Sequence, residues 1–262
     1  FEKFYGTIIG AGSFYDPATL CRANSFITPV NDEKYQPKTY YYTDAISDNA
    51  VMFLREHAKE PPDKPVFLYV AYTTAHWPMH ALPKDIAKYK GMYDGGFAKV
   101  RAARFERLKK LGLIDKNLKI SARSDEWEKA PNKEWDIRNM EVYAAMIDRM
   151  DQNIGRLMAA LRKSGEADNT LVLFLSDNGG CAEEPGGRSP KIVPGPKEFY
   201  AAVGPSWGWA QNAPFRRYKS WAHEGGVATP CIAWWPGRVP TGSITKEVGH
   251  IIDFLPTFLE LA

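Results

Sequence analysis

The sequence contains three continuous apolar runs, each bounded by residues that break regular structure. Two of them, PVFLYVAYT from Pro65 and TLVLFLS from Thr170, follow segments with apolar residues at helical spacing. The third, CIAWW, lies between Pro230 and Pro236. An uninterrupted apolar run of this length is typical of a strand that is buried on both faces. Helices alternating with such strands predict an α/β fold, with a mostly parallel sheet sandwiched between helices.

Two segments have the apolar periodicity of long amphipathic helices. Residues 45–57 follow a capping pair and precede a pair of prolines, and residues 140–164 end at Gly165, a typical helix stop. Residues 77–139 are irregular and charged, so we expect an excursion with one or two helices there. A further helix is expected to start at Asp253.

Composition and charge exclude several classes of protein. With 44% apolar and 25% charged residues in 262, the chain is an ordinary globular one, and we expect residues 1–262 to form a single domain. The net charge of +3 does not indicate a nucleic-acid partner. The basic cluster at 99–110 is interpreted as a solvated helix face, with a partner or lid surface as the alternative. No apolar run reaches the roughly 18 residues that a membrane span needs. Cys21, Cys181 and Cys231 match no zinc-binding spacing.

Polar residues follow two of the predicted strands, where the ligand site of an open α/β sheet lies. The first strand leads into His76, and the second leads into Asp177-Asn178 and two glycines. A carboxylate and an amide oxygen are hard donors, so this pair favours Ca²⁺ or Mg²⁺ over zinc. The competing interpretation is a plain Asx turn at the end of the strand.

Three further side chains have the chemistry to bind an anionic substrate. His76 could donate a proton or a hydrogen bond, or it could be an ordinary loop histidine. A metal pair with His80 is disfavoured because Pro78 interrupts the helical register. Lys219 could hold an anionic ester oxygen, or it could belong to an exposed basic turn. His223 lies four residues on, and we count it with His76 and Lys219 as substrate-binding.

Five segments in this order resemble the sulfatases, as arylsulfatase-type members of the alkaline phosphatase superfamily. They are YYYTDAISDNAVMFL, VFLYVAYTTAHWPMHA, VYAAMIDRMDQNIGRL, LVLFLSDNGG and PFRRYKSWAHEGGVATPCIAWWPG. The resemblance covers the whole chain. It implies an alkaline-phosphatase-like fold and hydrolysis of sulfate esters. It also implies a calcium ion and a formylglycine nucleophile made from Cys or Ser in a C/S-x-P-x-R motif.

The resemblance also implies roles for individual residues. Asp177 and Asn178 match two calcium ligands, and His76 matches a histidine that contacts the sulfate or its leaving oxygen. Lys219 matches the lysine that precedes the E-G-G turn. Zinc phosphatases and phosphodiesterases have a histidine at the position of Asn178, so that residue favours a sulfatase over these relatives.

Several parts of the family pattern are absent from this sequence. The paired aspartates, the formylglycine motif and the G-K-W-H segment are not found, and Cys21 is followed by RAN rather than by a Pro and an Arg at the required positions. The small C-terminal domain of the family is also absent. We therefore expect residues 1–262 to be the central portion of a sulfatase, with the nucleophile outside this chain. Such a chain alone should bind calcium weakly and be inactive.

Other functions stay open at this stage. The chain could be a catalytically inactive remnant or paralogue that binds anions, and a phosphatase or phosphodiesterase of the same superfamily is less favoured. The substrate is expected to be a carbohydrate sulfate or a small aryl sulfate. Candidate stacking groups are Trp207, Trp209 and Trp221, which could instead be core residues. The resemblance implies a periplasmic, secreted or lysosomal protein.

Overall fold

The computed structural model describes residues 1–61, 64–122 and 126–261. Its strands are β1 (Tyr5–Thr7), β2 (Leu20–Arg22), β3 (Ser25–Phe26), β4 (Val172–Leu175) and β5 (Cys231–Trp234). Its α-helices are α1 (Tyr42–His57), α2 (Pro83–Ile86), α3 (Gly96–Lys110), α4 (Lys133–Ser164), α5 (Gly204–Gln211), α6 (Glu224–Val227) and α7 (Phe254–Leu261). Short 3₁₀ turns occur at Ala87–Tyr89, Trp127–Lys129, Ala167–Asn169 and Ile251–Asp253. The two long helices predicted from periodicity are present as α1 and α4.

Helix α4 begins seven residues earlier than the periodicity predicts. The side chain of Asn132 accepts a hydrogen bond from the backbone N–H of Trp135 at 3.2 Å, so Asn132 caps the helix. The helix ends as predicted at Gly165, whose φ of 81° places it in the left-handed region that favours glycine. Capping chemistry, rather than the apolar face, therefore determines where α4 starts.

Helices α1 and α4 pack against each other through both charged and apolar contacts. The carboxylate of Asp44 on α1 accepts hydrogen bonds from Nε of Arg149 at 2.7 Å and from Nδ2 of Asn153 at 2.8 Å. Val142 and Met146 on α4 are fully buried. Burial of this kind contributes about 1.5–3 kcal/mol for each large apolar side chain, so the pair forms a stable centre for the fold.

The strands form two small antiparallel sheets, β1-β2-β3 and β4-β5. In the second, Leu175 lies opposite Cys231, so the carboxyl end of β4 is next to the start of β5. The α/β class is confirmed, whereas a mostly parallel sheet is not seen among the described residues. There, the only parallel pairing is an isolated bridge between His80 and Gly195.

The strand predicted from the first apolar run is not formed. Residues 64–73 have no regular secondary structure, and Phe67 and Tyr69 are 63% and 72% exposed. Pro62, on which part of the predicted helix stop rested, lies outside the described residues. A run of apolar residues shows that a segment can be buried, but a strand also needs a hydrogen-bonding neighbour, which the run does not specify.

The basic cluster lies on α3 as predicted, with Phe97 and Phe105 buried and most of its charged side chains exposed. All of the cysteines are free. Among the described helices, none is both long enough and apolar enough to cross a membrane. The assignment of residues 1–262 to one domain stays a prediction.

Candidate active site

The loop after β4 is held against the E-G-G turn by contacts between their backbones. The N–H of Gly179 donates to the carbonyl of Gly226 at 2.9 Å. A Cβ atom on Gly179 would lie 1.8 Å from the carbonyl oxygen of Gly225, and one on Gly225 would lie 2.1 Å from that of Arg217. Only glycine permits this approach. The glycines that follow Asp177 therefore serve to join two segments of the predicted site.

Lys219 is positioned by the same loop. Its backbone N–H donates to the carbonyl of Gly180 at 3.2 Å, and the N–H of Gly180 donates to Oδ1 of Asn212 at 2.9 Å. Arg217 and Ser220, on either side of Lys219, have φ values of 68° and 76°, in the left-handed region. A strained backbone of this kind is typical of segments whose geometry is set by function.

His76 lies in a tight turn that α1 anchors. Its N–H donates to the carbonyl of Thr73 at 2.9 Å, and the hydroxyl groups of Thr74 and Thr43 are 2.8 Å apart. Thr43 belongs to α1 and is buried. The turn is thus attached to a buried part of α1, and the histidine ring is left partly exposed.

The ammonium nitrogen of Lys219 lies 3.1 Å from Nε2 of His76. An ammonium group can only donate, so Nε2 must accept with its lone pair. The proton of the neutral ring is then on Nδ1, which donates to the carbonyl of Trp77 at 3.0 Å. This contact fixes the tautomer of His76, and it brings together two residues that the sequence predicted to contact the substrate.

Glu183 joins the same cluster, although the sequence analysis did not select it. Its Oε1 lies 3.1 Å from the Lys219 ammonium, and its Oε2 accepts from the indole N–H of Trp77 at 2.6 Å. Oε2 is also 4.0 Å from Nε2 of His76. Hydrogen bonds, first from Trp77 and then from Lys219, lower the pKa of Glu183 to about 2. Glu183 therefore remains an anion at any physiological pH.

His76, Cys181 and Glu183 each place one possible metal ligand within 4.8 Å of the others. These ligand types suit zinc. However, the Lys219 ammonium is in contact with both the imidazole and the carboxylate, and its positive charge repels a metal cation at that position. Burial also raises the pKa of the Cys181 thiol, which disfavours the thiolate that a metal requires. We interpret the cluster as an ion-paired site rather than a metal centre.

Asp177 and Asn178 lie beyond the carboxyl end of β4, on the loop that holds Lys219. Asp177 is exposed and forms no hydrogen bond or ion pair with the described residues. Asn178 is half-buried, and its backbone carbonyl accepts from the Ser176 hydroxyl at 3.0 Å. Their side-chain oxygens are thus available as hard ligands, which fits calcium. Two residues supply only part of the six to eight oxygens that this ion takes.

His223 is not brought into the cluster of His76 and Lys219. Its ring stacks on Trp221 with centroids 6.2 Å apart, and its backbone caps α6. The structure places Trp207 in the core with no exposure, so it cannot be a stacking surface for substrate. Trp221 is 44% exposed and keeps that potential role.

His80 is a core residue and forms no metal pair with His76. It is fully buried, with Nδ1 accepting from the N–H of Phe14 at 3.4 Å and Nε2 3.0 Å from the carbonyl of Phe199. With Nδ1 as acceptor, Nε2 carries the proton and donates. Both ring nitrogens of His80 are thus engaged in the core, which agrees with the prediction that it does not share a metal with His76.

Comparisons with known proteins agree with this architecture. The family model for sulfatases matches residues 1–262. An uncharacterised sulfatase of Schizosaccharomyces pombe is 32% identical over all of this chain and 52% of its own length. The arylsulfatase of Klebsiella aerogenes is 33% identical over 97% of this chain and 58% of its own length. The chain belongs to the sulfatase family, and it spans about half the length of these curated relatives.

A solved structure shows the same fold. The crystal structure of Ps i-CgsB, in complex with k-i-k-neocarrahexaose, superposes on all of this chain and on 45% of that protein with a TM-score of 0.63 and 23% identity. The alkaline-phosphatase-like α/β fold predicted for the chain is thus confirmed. The family assignment predicted from the five sequence segments is confirmed as well.

Proposed function

We propose that this chain is part of an enzyme that hydrolyses sulfate esters, with His76 and Lys219 contacting the ester. The contact between Lys219 and His76, at 3.1 Å, carries the proposal. It places the positive charge of Lys219, whose backbone is held by the loop that follows β4, beside the imidazole of His76. A positive charge stabilises the negative charge that develops on the sulfate and its leaving oxygen, and the imidazole can exchange a proton with that oxygen.

Calcium is the cation that the proposed site would hold, with Mg²⁺ as the alternative. Asp177 and Asn178 would supply two of its oxygen ligands, and the remaining ligands would come from water or from residues outside this sequence. When bound, the ion would neutralise negative charge on the substrate and help to orient it. The carboxylate of Asp177, which is exposed and has no partner among the described residues, supports this assignment.

The nucleophile of the proposed reaction is a formylglycine that lies outside this chain, since the sequence has no C/S-x-P-x-R motif. Groups that act on one transition state do so together, and removing one of them abolishes most of the effect of the others. We therefore propose that the chain alone is inactive and that activity belongs to the protein in which the nucleophile is present.

The substrate is proposed to be an aryl or carbohydrate sulfate. The likeness to the Klebsiella aerogenes arylsulfatase, over most of this chain, supports an aryl ester. N-acetylgalactosamine-6-sulfatases such as that of Sus scrofa match 46% of the chain at 33% identity, which supports a sulfated sugar. Trp221, exposed and next to the loop of Lys219, would offer a stacking face to either ring.

The test is sulfate release by the protein encoded by the complete gene, purified with calcium. The substrates would be 4-nitrophenyl sulfate, sulfated monosaccharides and 4-nitrophenyl phosphate, and free sulfate would be measured by ion chromatography. We expect turnover of at least one sulfate ester, with the phosphate ester slower. Faster hydrolysis of the phosphate ester would instead favour a phosphatase. Sulfate binding without any turnover would favour an inactive anion-binding protein.

A further inference from the structure

Glu183 makes contacts that the proposed reaction does not itself require. Its carboxylate lies between the Lys219 ammonium and the Trp77 indole N–H, at 3.1 and 2.6 Å, and 4.0 Å from the His76 ring. We infer that Glu183 is a positioning residue: it orients Lys219 and His76, and its negative charge weakens the binding of an anionic ligand to them. This inference rests on the proposed function for the identity of that ligand.

The positioning effect follows from the flexibility of lysine. A lysine side chain has a four-carbon stem, and ordering it opposes its rotamer entropy. Here the ammonium donates to Nε2 of His76 and pairs with Oε1 of Glu183, which fixes its direction. An ammonium has three N–H groups, so one is left for a ligand. Without the carboxylate, the ammonium would be held by a single neutral imidazole.

Glu183 also links segments that come from distant parts of the chain. The indole of Trp77 is fixed by Oε2, and the carbonyl of Trp77 in turn accepts from Nδ1 of His76. One carboxylate thus supports both partners of the contact between Lys219 and His76. Its side chain is 43% exposed, so its removal should change the site more than the stability of the fold.

The charge of Glu183 acts in the opposite direction on binding. An anion within a few ångströms of a sulfate-binding ammonium repels the sulfate and neutralises part of the attraction. Loss of the carboxylate should therefore strengthen ground-state binding while it weakens catalysis. A residue with only a structural role would not produce opposite changes in these two quantities.

The chain offers a matched control in the next residue. Glu184 carries the same charge, but its Oε1 lies 3.3 Å from Nε of Arg188, away from the cluster. A second variant separates charge from positioning: Trp77→Phe removes the indole donor to Glu183 but leaves every charge in place.

The experiment compares wild type, Glu183→Gln, Glu184→Gln and Trp77→Phe in the protein from the complete gene, each checked by thermal unfolding. Affinity for inorganic sulfate would be measured by calorimetry at constant ionic strength. The values of kcat and KM would be measured with 4-nitrophenyl sulfate.

For Glu183→Gln we expect sulfate to bind about 3- to 10-fold tighter, because a repelling charge is gone. We expect kcat to fall by roughly 10-fold or more, without a rise in KM. Glu184→Gln should change neither quantity by more than about twofold. Trp77→Phe should lower kcat and leave sulfate affinity unchanged.

The outcomes distinguish this inference from the proposed function. If the wild type hydrolyses sulfate esters and Glu183→Gln keeps its kcat, the inference is overturned and the function stands. Weaker or unchanged sulfate binding by Glu183→Gln also overturns it. If the wild type has no activity, the proposed function fails, and tighter sulfate binding by Glu183→Gln but not by Glu184→Gln still supports the electrostatic role. If Glu183→Gln does not fold, a normal kcat in Trp77→Phe overturns the positioning role.

Discussion

The ammonium of Lys219 donates to Nε2 of His76 at 3.1 Å, across 143 positions of the sequence. The two residues meet because each lies on a short segment anchored elsewhere: His76 through Thr43 of α1, and Lys219 through Gly180. A lysine and a neutral imidazole in contact make a pair that can bind an anion and exchange a proton with it.

Replacing Lys219 by Met should remove the charge and keep most of the apolar stem. We expect kcat/KM for a sulfate ester to fall by about 10²- to 10³-fold, the usual effect of losing one group that stabilises developing charge. Steady-state kinetics of the protein from the complete gene would measure it, with calcium content followed in parallel. Lys191→Met is the control, since Lys191 is exposed and its side chain has no hydrogen-bond or ion-pair partner in the described part of the chain. Equal losses in both variants would contradict a role for Lys219.

Replacing Asp177 by Ala should remove calcium and activity together. An unpartnered carboxylate contributes an anionic ligand, and a site that loses one ligand charge binds the ion much more weakly. Metal content by mass spectrometry and sulfate release would be measured on the same sample. Asp168→Ala, at another exposed aspartate nine residues earlier, should change neither. Full metal content and full activity in Asp177→Ala would show that the ion lies elsewhere.

Gly179→Ala should disturb the site more than the overall fold. Its Cβ would lie 1.8 Å from the carbonyl of Gly225, so the loop of Asp177 must move away from the turn beyond Lys219. We expect a destabilisation of about 1–3 kcal/mol in urea unfolding and a large loss of activity. Gly155→Ala is the opposite case, because Gly155 lies inside α4 and an added Cβ would meet no atom within 4 Å beyond the adjacent helix backbone. This change should stabilise the fold by about 0.5–1 kcal/mol. Equal stability of the two variants would show that the loop relaxes freely.

The parts of the site that could be predicted are those fixed by local sequence. Asp177 and Asn178 follow an apolar strand, and Lys219 was selected because its spacing to the E-G-G turn resembles that of the sulfatases. Glu183 could not be selected, because it lies in a Gly- and Pro-rich loop without periodicity, and only the folded chain brings it to Trp77 and Lys219. The role of an acidic residue in a loop depends on contacts with residues that are distant in sequence.

In the fold, too, the elements set by neighbouring residues could be predicted, and those set by distant partners could not. Helix α1 and the end of α4 followed from periodicity and from Gly165, which are properties of neighbouring residues. Strand pairing depends on partners elsewhere in the chain, so an apolar run such as residues 65–72 could be mistaken for a strand. The antiparallel pairing of β4 with β5 was likewise not specified by the two runs themselves.

His80 should make the fold less stable in mild acid. Burial lowers its pKa below the ordinary value near 6.5, against smaller opposing effects of the Phe199 carbonyl and of Glu198. Below pH 6.5 the unfolded chain therefore binds more protons than the folded one, and stability falls as the pH is lowered. The Nδ1 that would be protonated already accepts from the N–H of Phe14, so the charged ring would lose that bond.

Urea unfolding at pH 7.5, 6.5 and 5.5 would measure this change in the free energy of unfolding. His80→Gln should lose less free energy over this range than wild type, whereas His250→Gln, at an exposed histidine, should follow wild type. Parallel losses in all three proteins would show that another group controls the acid sensitivity.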